Sequence, residues 1–297
     1  MKIYDSFMFF DEDMLLDLRL NILNEYVDKF IITEATYLHS GKKKKLTFDI
    51  NKFSKFKEKI IYNVIDTLPP NLEKIYEEDD KITKGKKLIN NSNKREHFQR
   101  NGALKILEKA EPSDVVIIND LDEIPNLKDF DFNKIDNKII MFNQKVFYYK
   151  FNLLYKGLSW FGTRICKKRK LISPQWLRDV KHKNYPFWRI DTFFSKMKYS
   201  NIYHVDNGGW HFTNIKSPED IEKKYLNFLH HQDFEYSGLK IDDIKKIIKN
   251  KKILYDLGAD QRDNKWSASK ILTKISLTEI PDYITKNTNK YSDWIES

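Results

Sequence analysis

The sequence of 297 residues contains a single cysteine, Cys166, and no long apolar run. One cysteine excludes an internal disulfide, which is typical of a protein from a reducing compartment. A membrane-spanning helix needs about 18 apolar residues in a row, and no stretch approaches that length. The N-terminus reaches acidic residues after a short apolar run, unlike a secretory signal. There is also no internal repeat or low-complexity linker. These absences predict a soluble, cytoplasmic protein.

Positive charge is in excess, with 53 Lys and Arg against 43 Asp and Glu, for a net charge of +10. Such a balance indicates nucleic acid, an anionic membrane or a phosphate-bearing substrate as a partner. The lysines are spread along the chain, and the one dense run is Lys42 to Lys45. That run is typical of a solvated loop, although contact with a membrane-borne partner stays open. We expect no nucleic acid, and peripheral association with the anionic inner face of a membrane.

The most informative stretch is residues 113–126, SDVVIINDLDEIPN. The β-branched run from Val115 to Ile118 predicts a strand buried on both faces, as in a parallel sheet. It ends in three carboxylates, Asp120, Asp122 and Glu123. Ligands of open α/β sheets bind beyond the carboxyl ends of the strands. Because crowded carboxylates are unfavourable without a positive partner, the pattern favours a divalent cation with oxygen ligands. A solvated acidic turn is the alternative interpretation.

Periodicity before this stretch predicts a βαβ start. Strands are expected over residues 2–10, 28–35 and 59–65, with a helix from Asp11 or Asp13 to about residue 26. The second strand ends near Glu34, which we place among the ligand-binding candidates. Residues 66–91 are expected to form a long loop over the site, and residues 138–149 and 158–165 to form further strands. The fold class is therefore α/β, with a mixed, mainly parallel sheet flanked by helices.

A second informative stretch, residues 91–110, predicts a helix capped by Ser92 or Asn93. The face of this helix that is apolar in its later turns is polar in its first turns, where it carries Arg95, Glu96, Gln99 and Arg100. The short link to the next strand makes the two elements antiparallel, so the helix start is expected beside Asp120 and Asp122. A diphosphate between arginines and a carboxylate-bound metal fits this charge pattern. An ion-paired helix terminus remains the alternative.

The later part of the chain carries two further signals. Residues 204–213, HVDNGGWHFT, include His211, a candidate metal or phosphate contact. Ser217 and Pro218 predict a helix start, and that helix is expected to run to about residue 230. Beyond it the signals weaken to helix and loop. We predict a catalytic domain over residues 1–235 and a helical C-terminal extension over residues 236–297, packed on the same domain.

Several blocks resemble glycosyltransferase family 17, whose animal members are β-1,4-mannosyl-glycoprotein N-acetylglucosaminyltransferases that add bisecting GlcNAc. They are YDSFMFFDEDMLLDLRLNIL, DKFIITEATYLHSGKKKKL, REHFQRN, NDLDEIP, GGWHF and HHQDF, in family order over residues 1–235. The resemblance implies a GT-A fold, a UDP-sugar donor, a divalent Mn²⁺ or Mg²⁺ ion and inversion at the anomeric carbon. By position, the family's Asp-x-Asp falls on Asp120 and Asp122. Its Arg-Glu-x-x-Gln-Arg falls on Arg95, Glu96, Gln99 and Arg100.

The sequence departs from the animal members in lacking a membrane anchor and secretory address, and in having Ser6 where a cysteine is expected. These departures favour a cytoplasmic bacterial or viral enzyme that builds a lipid-linked or surface glycan, with GlcNAc or a related hexose as the sugar. Many GT-A enzymes carry the catalytic base on a helix after a glycine-rich turn. By that resemblance the base is Glu219, with Asp220 and then Asp206 as substitutes.

Two other functions fit the same residues. A nucleotidyltransferase or metal-dependent phosphate hydrolase would use the same carboxylates and release pyrophosphate or phosphate instead of UDP. A basic nucleic-acid-binding protein would show salt-dependent binding but leaves the acidic strand end unexplained.

Overall fold

A computed structural model describes residues 1–136, 138–183, 185–186, 188–227, 231–259 and 263–297, without the side chains of residues 193 and 232. The described residues form one ten-stranded sheet in the order β3-β2-β1-β4-β7-β6-β9-β5, with β8 beside β6 and β10 beside β7. The strands are β1 (Ile3–Met8), β2 (Lys29–Ala35), β3 (Ile60–Ile65), β4 (Val115–Ile118), β5 (Glu123–Pro125), β6 (Ile139–Tyr148), β7 (Leu153–Lys167), β8 (Ile202–Val205), β9 (Gly209–Thr213) and β10 (Thr273–Lys274). The helices are α1 (Asp13–Leu23), α2 (Lys81–Asn101), α3 (Leu104–Leu107), α4 (Pro174–Asp179), α5 (Asp191–Phe194), α6 (Pro218–Tyr225), α7 (His231–Ser237), α8 (Ile241–Lys249), α9 (Asp282–Lys286) and α10 (Thr288–Tyr291).

One half of the sheet is parallel. Strands β3, β2, β1 and β4 lie side by side in the same direction. In β4, Val115 and Ile117 belong to one hydrophobic core and Val116 and Ile118 to the core on the opposite face. The short β-branched strand is therefore buried on both sides, as its sequence predicts. This parallel arrangement brings the carboxyl ends of β1, β2 and β4 to one edge.

The other half is mixed. The long strand β7 runs antiparallel to both β4 and β6, while β8 and β9 run parallel to β6. Strand β5 then pairs with β9, so that Glu123 lies opposite His211. The predicted α/β class with a mixed, largely parallel sheet is confirmed. The pairing of β5 with β9 brings His211 next to the acidic turn after β4.

Helix α2 differs from its prediction. Its cap is Asp80, twelve residues before Ser92, because the Asp80 side chain accepts a hydrogen bond from the Thr83 amide. Ser92 lies buried inside the helix, and the Asn91 side chain exchanges hydrogen bonds with the Glu73 backbone. Such tertiary bonds let polar residues occupy a helix interior. The predicted caps at Ser92 or Asn93 are wrong, and the predicted loop over residues 66–91 is found only as far as residue 80. The helix ends at Asn101 instead of near residue 110.

Helix α6 begins where the sequence predicts, with the Ser217 hydroxyl accepting from the Asp220 amide. It ends at Tyr225, and the expected end near residue 230 lies outside the described residues. The C-terminal residues pack on the same body, as Ile280, Ile284 and Tyr291 join the main core. They also supply β10, so this part is not purely helical. Within the described residues, no helix has the length and apolar character that a membrane span requires.

Candidate functional site

A cavity of about 510 Å³ opens at the carboxyl ends of the parallel strands. This volume is in the range of small-molecule sites, about 300–1,000 Å³. We call one side the strand-end wall, which includes Phe10, Glu12, Tyr37, Lys44, Glu96, Gln99, Arg100, Asp120 and Asp122. A second set of lining residues comes from later in the chain, and we call it the far wall: Trp160, Lys224, Asn227, Tyr255, Leu257 and Lys265. The predicted acidic strand end therefore faces a cavity, and α2 lines it with three of its four predicted residues.

Asp120 lies between two arginines. Its Oδ1 is 3.0 Å from Arg100 Nη2, and its Oδ2 is 2.9 Å from Arg178 Nη2. Burial alone would raise the pKa of this carboxyl, but the two guanidinium groups outweigh burial and hold its pKa well below the ordinary value. Arg100 also pairs with Glu96 at 2.7 Å. Asp120 is thus ionised and fixed in orientation at the edge of the cavity.

Arg178 lies on α4 and was not among the sequence candidates. It also binds the fully buried Glu123, with 2.7 Å between Arg178 Nη1 and Glu123 Oε2. Glu123 in turn accepts from Trp160 Nε1 and from the Asp120 amide, both at 2.8 Å. A Cβ at Gly162 would lie 2.5 Å from the Glu123 carboxyl, so only glycine leaves room for this group. No local pattern marks Arg178, because its partners are more than fifty residues away.

A second arginine, Arg19, supports the acidic turn from inside the protein. Arg19 and Asp5 are both fully buried and form a two-pronged ion pair, with bonds of 2.7 and 2.8 Å. Arg19 Nη1 also donates to the carbonyls of Leu121 at 3.2 Å and Glu123 at 2.7 Å. These bonds occupy backbone acceptors of the turn that holds Asp120 and Asp122. The turn is therefore preorganised by groups that do not reach the cavity.

Asp122 and His211 lie together, as the sequence analysis expects of a metal site. His211 Nε2 is 3.6 Å from Asp122 Oδ2, and the imidazole stacks on Trp160 with 4.9 Å between ring centres. Burial would raise the pKa of Asp122, but the neighbouring His211 and Lys224 outweigh burial and leave this pKa below its ordinary value. His211 Nδ1 is buried and has no hydrogen-bond partner among the described residues.

These two side chains could supply at most two protein ligands to a divalent cation. Among the described residues, no group of three or more His, Cys, Asp and Glu could enclose a metal ion. Mg²⁺ commonly uses one or two protein ligands and completes its shell with substrate phosphates and water. The Asp122 carboxylate fits that donor set. The His211 imidazole is a nitrogen donor that suits transition-metal ions better than Mg²⁺, and Asp120 is already neutralised by arginines.

Two predicted binding residues, Arg95 and Glu34, support the cavity without lining it. The Arg95 guanidinium donates to the His39 carbonyl at 3.0 Å and packs against Gly41, whose φ is +94°. Glu34 is fully buried and accepts from the Thr47 amide and the Tyr62 hydroxyl, each at 2.8 Å, and it pairs with Lys44. Neither Arg95 nor Glu34 lines the cavity. Both hold the loop between β2 and β3, which supplies Tyr37 and Lys44 to the strand-end wall.

The three predicted base candidates are not brought to this cavity. Glu219 is exposed and pairs with Lys245 at 2.8 Å, and Asp220 is exposed in the first turn of α6. Asp206 lines a separate cavity of about 400 Å³. The carboxylates that do line the site are Glu12, Glu96, Asp120 and Asp122. Glu12, which the sequence analysis did not select, lies 3.4 Å from Lys216 Nζ.

The sequence profile of glycosyltransferase family 17 matches residues 1–295. The chain belongs to this family and is a glycosyltransferase. The match also extends the resemblance from residue 235 nearly to the end of the chain. It therefore includes the C-terminal residues that supply Tyr255, Leu257 and Lys265 to the far wall. No curated protein sequence matches the chain.

Among solved structures, HddC from Yersinia pseudotuberculosis is similar with a TM-score of 0.36 and 14% identity, over 75% of this chain and 97% of HddC. A putative glucose-1-phosphate thymidylyltransferase from Bacillus anthracis, in complex with a sucrose, gives 0.35 and 11%, over 70% and 87% of the two chains. The galactosyltransferase LgtC with donor and acceptor sugar analogues gives 0.28 and 13%, over 69% and 73%. These scores are too low to transfer any site to this chain.

Proposed function

We propose that this glycosyltransferase moves GlcNAc or a related hexose from a UDP-sugar to a hydroxyl group of a glycan or glycolipid, with inversion at the anomeric carbon. The observation that carries the proposal is the meeting of Asp120, Asp122 and Arg100 at the strand-end wall of one cavity. Family membership supports sugar transfer, and the position at the carboxyl ends of parallel strands is the usual place for a nucleotide.

The donor's diphosphate fits the charges at this site. Lys224 is close enough to Asp122 to lower its pKa, and Lys44 and Arg100 also line the cavity. Asp122 and His211 would hold a Mn²⁺ or Mg²⁺ ion. A bound ion of this kind neutralises the charge that develops on a departing diphosphate. Arg100 and Arg178 keep Asp120 ionised, so that its outer edge can accept hydrogen bonds from donor hydroxyl groups.

An inverting transfer also requires a base that removes the proton of the acceptor hydroxyl. Glu219 stays the base expected from the family resemblance, but it points into solvent beside Lys245. Of the four carboxylates at the cavity, Glu96 and Asp120 contact arginines and Asp122 faces His211. Glu12 pairs with Lys216 at 3.4 Å and accepts from the Phe10 and Asp11 amides. Because Glu12 lines the cavity and Glu219 does not, the geometry favours Glu12 over Glu219.

Donor screening tests the proposal directly. UDP- and GDP-sugars are compared for thermal stabilisation of the protein, with Mn²⁺ and with a chelator. A ligand at 100 times its dissociation constant stabilises by about 2.7 kcal/mol. We expect a UDP-sugar to stabilise, and Mn²⁺ to increase the effect. Assays of the products then separate UDP from pyrophosphate or phosphate. Release of pyrophosphate or phosphate without UDP would contradict sugar transfer and favour a nucleotidyltransferase or hydrolase.

A further inference from the structure

After α4 the chain forms an excursion, of which the structure describes residues 181–183, 185–186 and 188–199. The two ends are held together, because the Lys181 amide donates to the Met197 carbonyl at 2.8 Å and the Tyr185 amide to the Tyr199 carbonyl at 3.1 Å. Trp176 on α4 donates from Nε1 to the Lys196 carbonyl at 2.6 Å. These bonds give the excursion a fixed base on α4, the helix that carries Arg178.

The outer part of this excursion exposes large apolar side chains. Phe194 is 86% exposed, Ile190 73%, Trp188 69% and Met197 41%. We call these four residues the apolar tip. Single exposed apolar residues are ordinary on protein surfaces, but a cluster within ten residues of sequence marks an interaction surface. The tip is separate from the cavity, since none of its residues lines it.

Positive charge surrounds the apolar tip. Residues 181–199 carry five cations, Lys181, Lys183, Arg189, Lys196 and Lys198, against one carboxylate, Asp191. Arg189 and Lys198 both pair with Asp191 at 2.8 Å. Lys181, Lys183 and Lys196 are exposed. An aromatic and aliphatic tip with basic flanks matches the chemistry of a bilayer surface, where apolar groups enter the headgroup boundary and lysines meet anionic lipids.

We propose that this excursion docks the enzyme on an anionic lipid bilayer, with Ile190 and Phe194 inserted among the headgroups. Charge argues against a second copy of the chain as the occupant, because the protein carries +10 and the two docking surfaces would repel each other. The docking surface goes beyond the transfer reaction and does not depend on the identity of donor or acceptor.

Vesicle sedimentation with the full chain tests the apolar tip. Vesicles of phosphatidylcholine with about one-third phosphatidylserine are compared with pure phosphatidylcholine, and we expect binding to the anionic vesicles that weakens with salt. The double variant Ile190→Ser, Phe194→Ser should bind at least about tenfold more weakly, because it removes the two apolar side chains that would insert into the bilayer. Ile82→Ser is the matched control: Ile82 is 71% exposed on α2, outside the excursion, and its loss should leave binding unchanged.

The basic flanks are tested in the same assay. Replacing Lys181, Lys183 and Lys196 with Gln should weaken binding about 100-fold, since each lysine near an anionic surface contributes about a fivefold factor. The control, Lys57→Gln with Lys84→Gln and Lys86→Gln, changes the net charge equally at exposed positions elsewhere and should have a much smaller effect. Circular dichroism should show unchanged folding in all variants. Equal binding by the tip variant and wild type would overturn the proposal. So would a dimer in light scattering that the tip variant abolishes, with no binding to vesicles.

Discussion

The strand-end wall and the far wall of the cavity are built in different ways. The strand-end wall comes from segments that directly follow β1, β2 and β4, together with one helix that precedes β4. The far wall combines Trp160 of β7, the end of α6 and the chain beyond α8. A parallel sheet determines where the first set meets, whereas the second set meets only through long-range packing. The first wall can therefore be located from sequence, and the second cannot.

The two walls also differ in chemistry. The strand-end wall carries carboxylates whose charges are compensated by Arg100 and Arg178 in a network that reaches the buried Glu123. The far wall presents aromatic, aliphatic and lysine side chains, including Trp160, Leu257 and Lys265. This contrast suggests that the strand-end wall binds the donor diphosphate, while the far wall contacts sugar and acceptor. Five predictions test this division, beginning with the largest expected effect.

Arg178→Gln should disrupt the link between the two walls most strongly. It leaves Glu123 buried without a positive partner, which typically destabilises a protein by about 3–5 kcal/mol. Urea unfolding measures the loss. Arg169→Gln is the control, because Arg169 makes an exposed ion pair with Asp136 and its loss should change stability by less than about 1 kcal/mol. Equal stability of the two variants would show that the buried network is not required.

The same variant has a defined pH dependence. The pKa of Asp120 is depressed in the folded protein, so its ion pairs stabilise the fold above the unfolded pKa of about 3.9 and are lost as the pH falls through the folded value. The difference in unfolding free energy between wild type and Arg178→Gln should therefore be constant near neutral pH and shrink below about pH 4. A difference that grows in acid would contradict this assignment.

Asp122→Ala should abolish most transfer while preserving the fold. Losing one group that stabilises developing charge reduces turnover by about 10²–10³-fold, and the metal-dependent part of UDP binding should disappear in calorimetry. Asp66→Ala, at an exposed position after β3, is the control and should behave as wild type. Unchanged metal-dependent UDP affinity in Asp122→Ala would show that the strand-end wall does not hold the diphosphate.

Glu12→Gln and Glu219→Gln separate the two candidate bases. General-base catalysis contributes about 10²–10⁴-fold, so the variant that removes the base should lose about 10²-fold or more in kcat. Donor affinity should change little. We expect the loss in Glu12→Gln and near-normal kcat in Glu219→Gln, because only Glu12 lines the cavity. The opposite result would place the base on α6 and require α6 to approach the cavity during the reaction.

Lys265→Gln should have the smallest effect and should act on the acceptor. If the far wall contacts the acceptor, the acceptor KM should rise about tenfold, which is the loss expected when one hydrogen bond to a charged group is removed. The dissociation constant of UDP should stay unchanged. Lys270→Gln, an exposed lysine nearby in sequence, serves as the control. A loss of UDP affinity in Lys265→Gln with normal acceptor KM would assign the far wall to the donor instead.

The sequence alone determined the parallel start of the sheet, the burial of β4 on both faces and the carboxylates at its end. It also predicted that Gln99 and Arg100 face those carboxylates, and that α6 begins after Ser217. All of these follow from local rules: apolar periodicity, strand length and a side chain that caps a helix within three residues. Family motifs located the same stretch independently.

Tertiary structure decided the rest. Helix α2 runs through Asn91 because the side chain of this residue exchanges hydrogen bonds with the distant Glu73 backbone, which no periodicity in the helix reveals. Arg178 reaches Asp120 and Glu123 only because α4 packs beside the sheet, and Glu219 faces Lys245 only because α6 packs against α8. Contacts between residues far apart in the chain depend on how whole elements pack, and local sequence patterns carry no record of that packing.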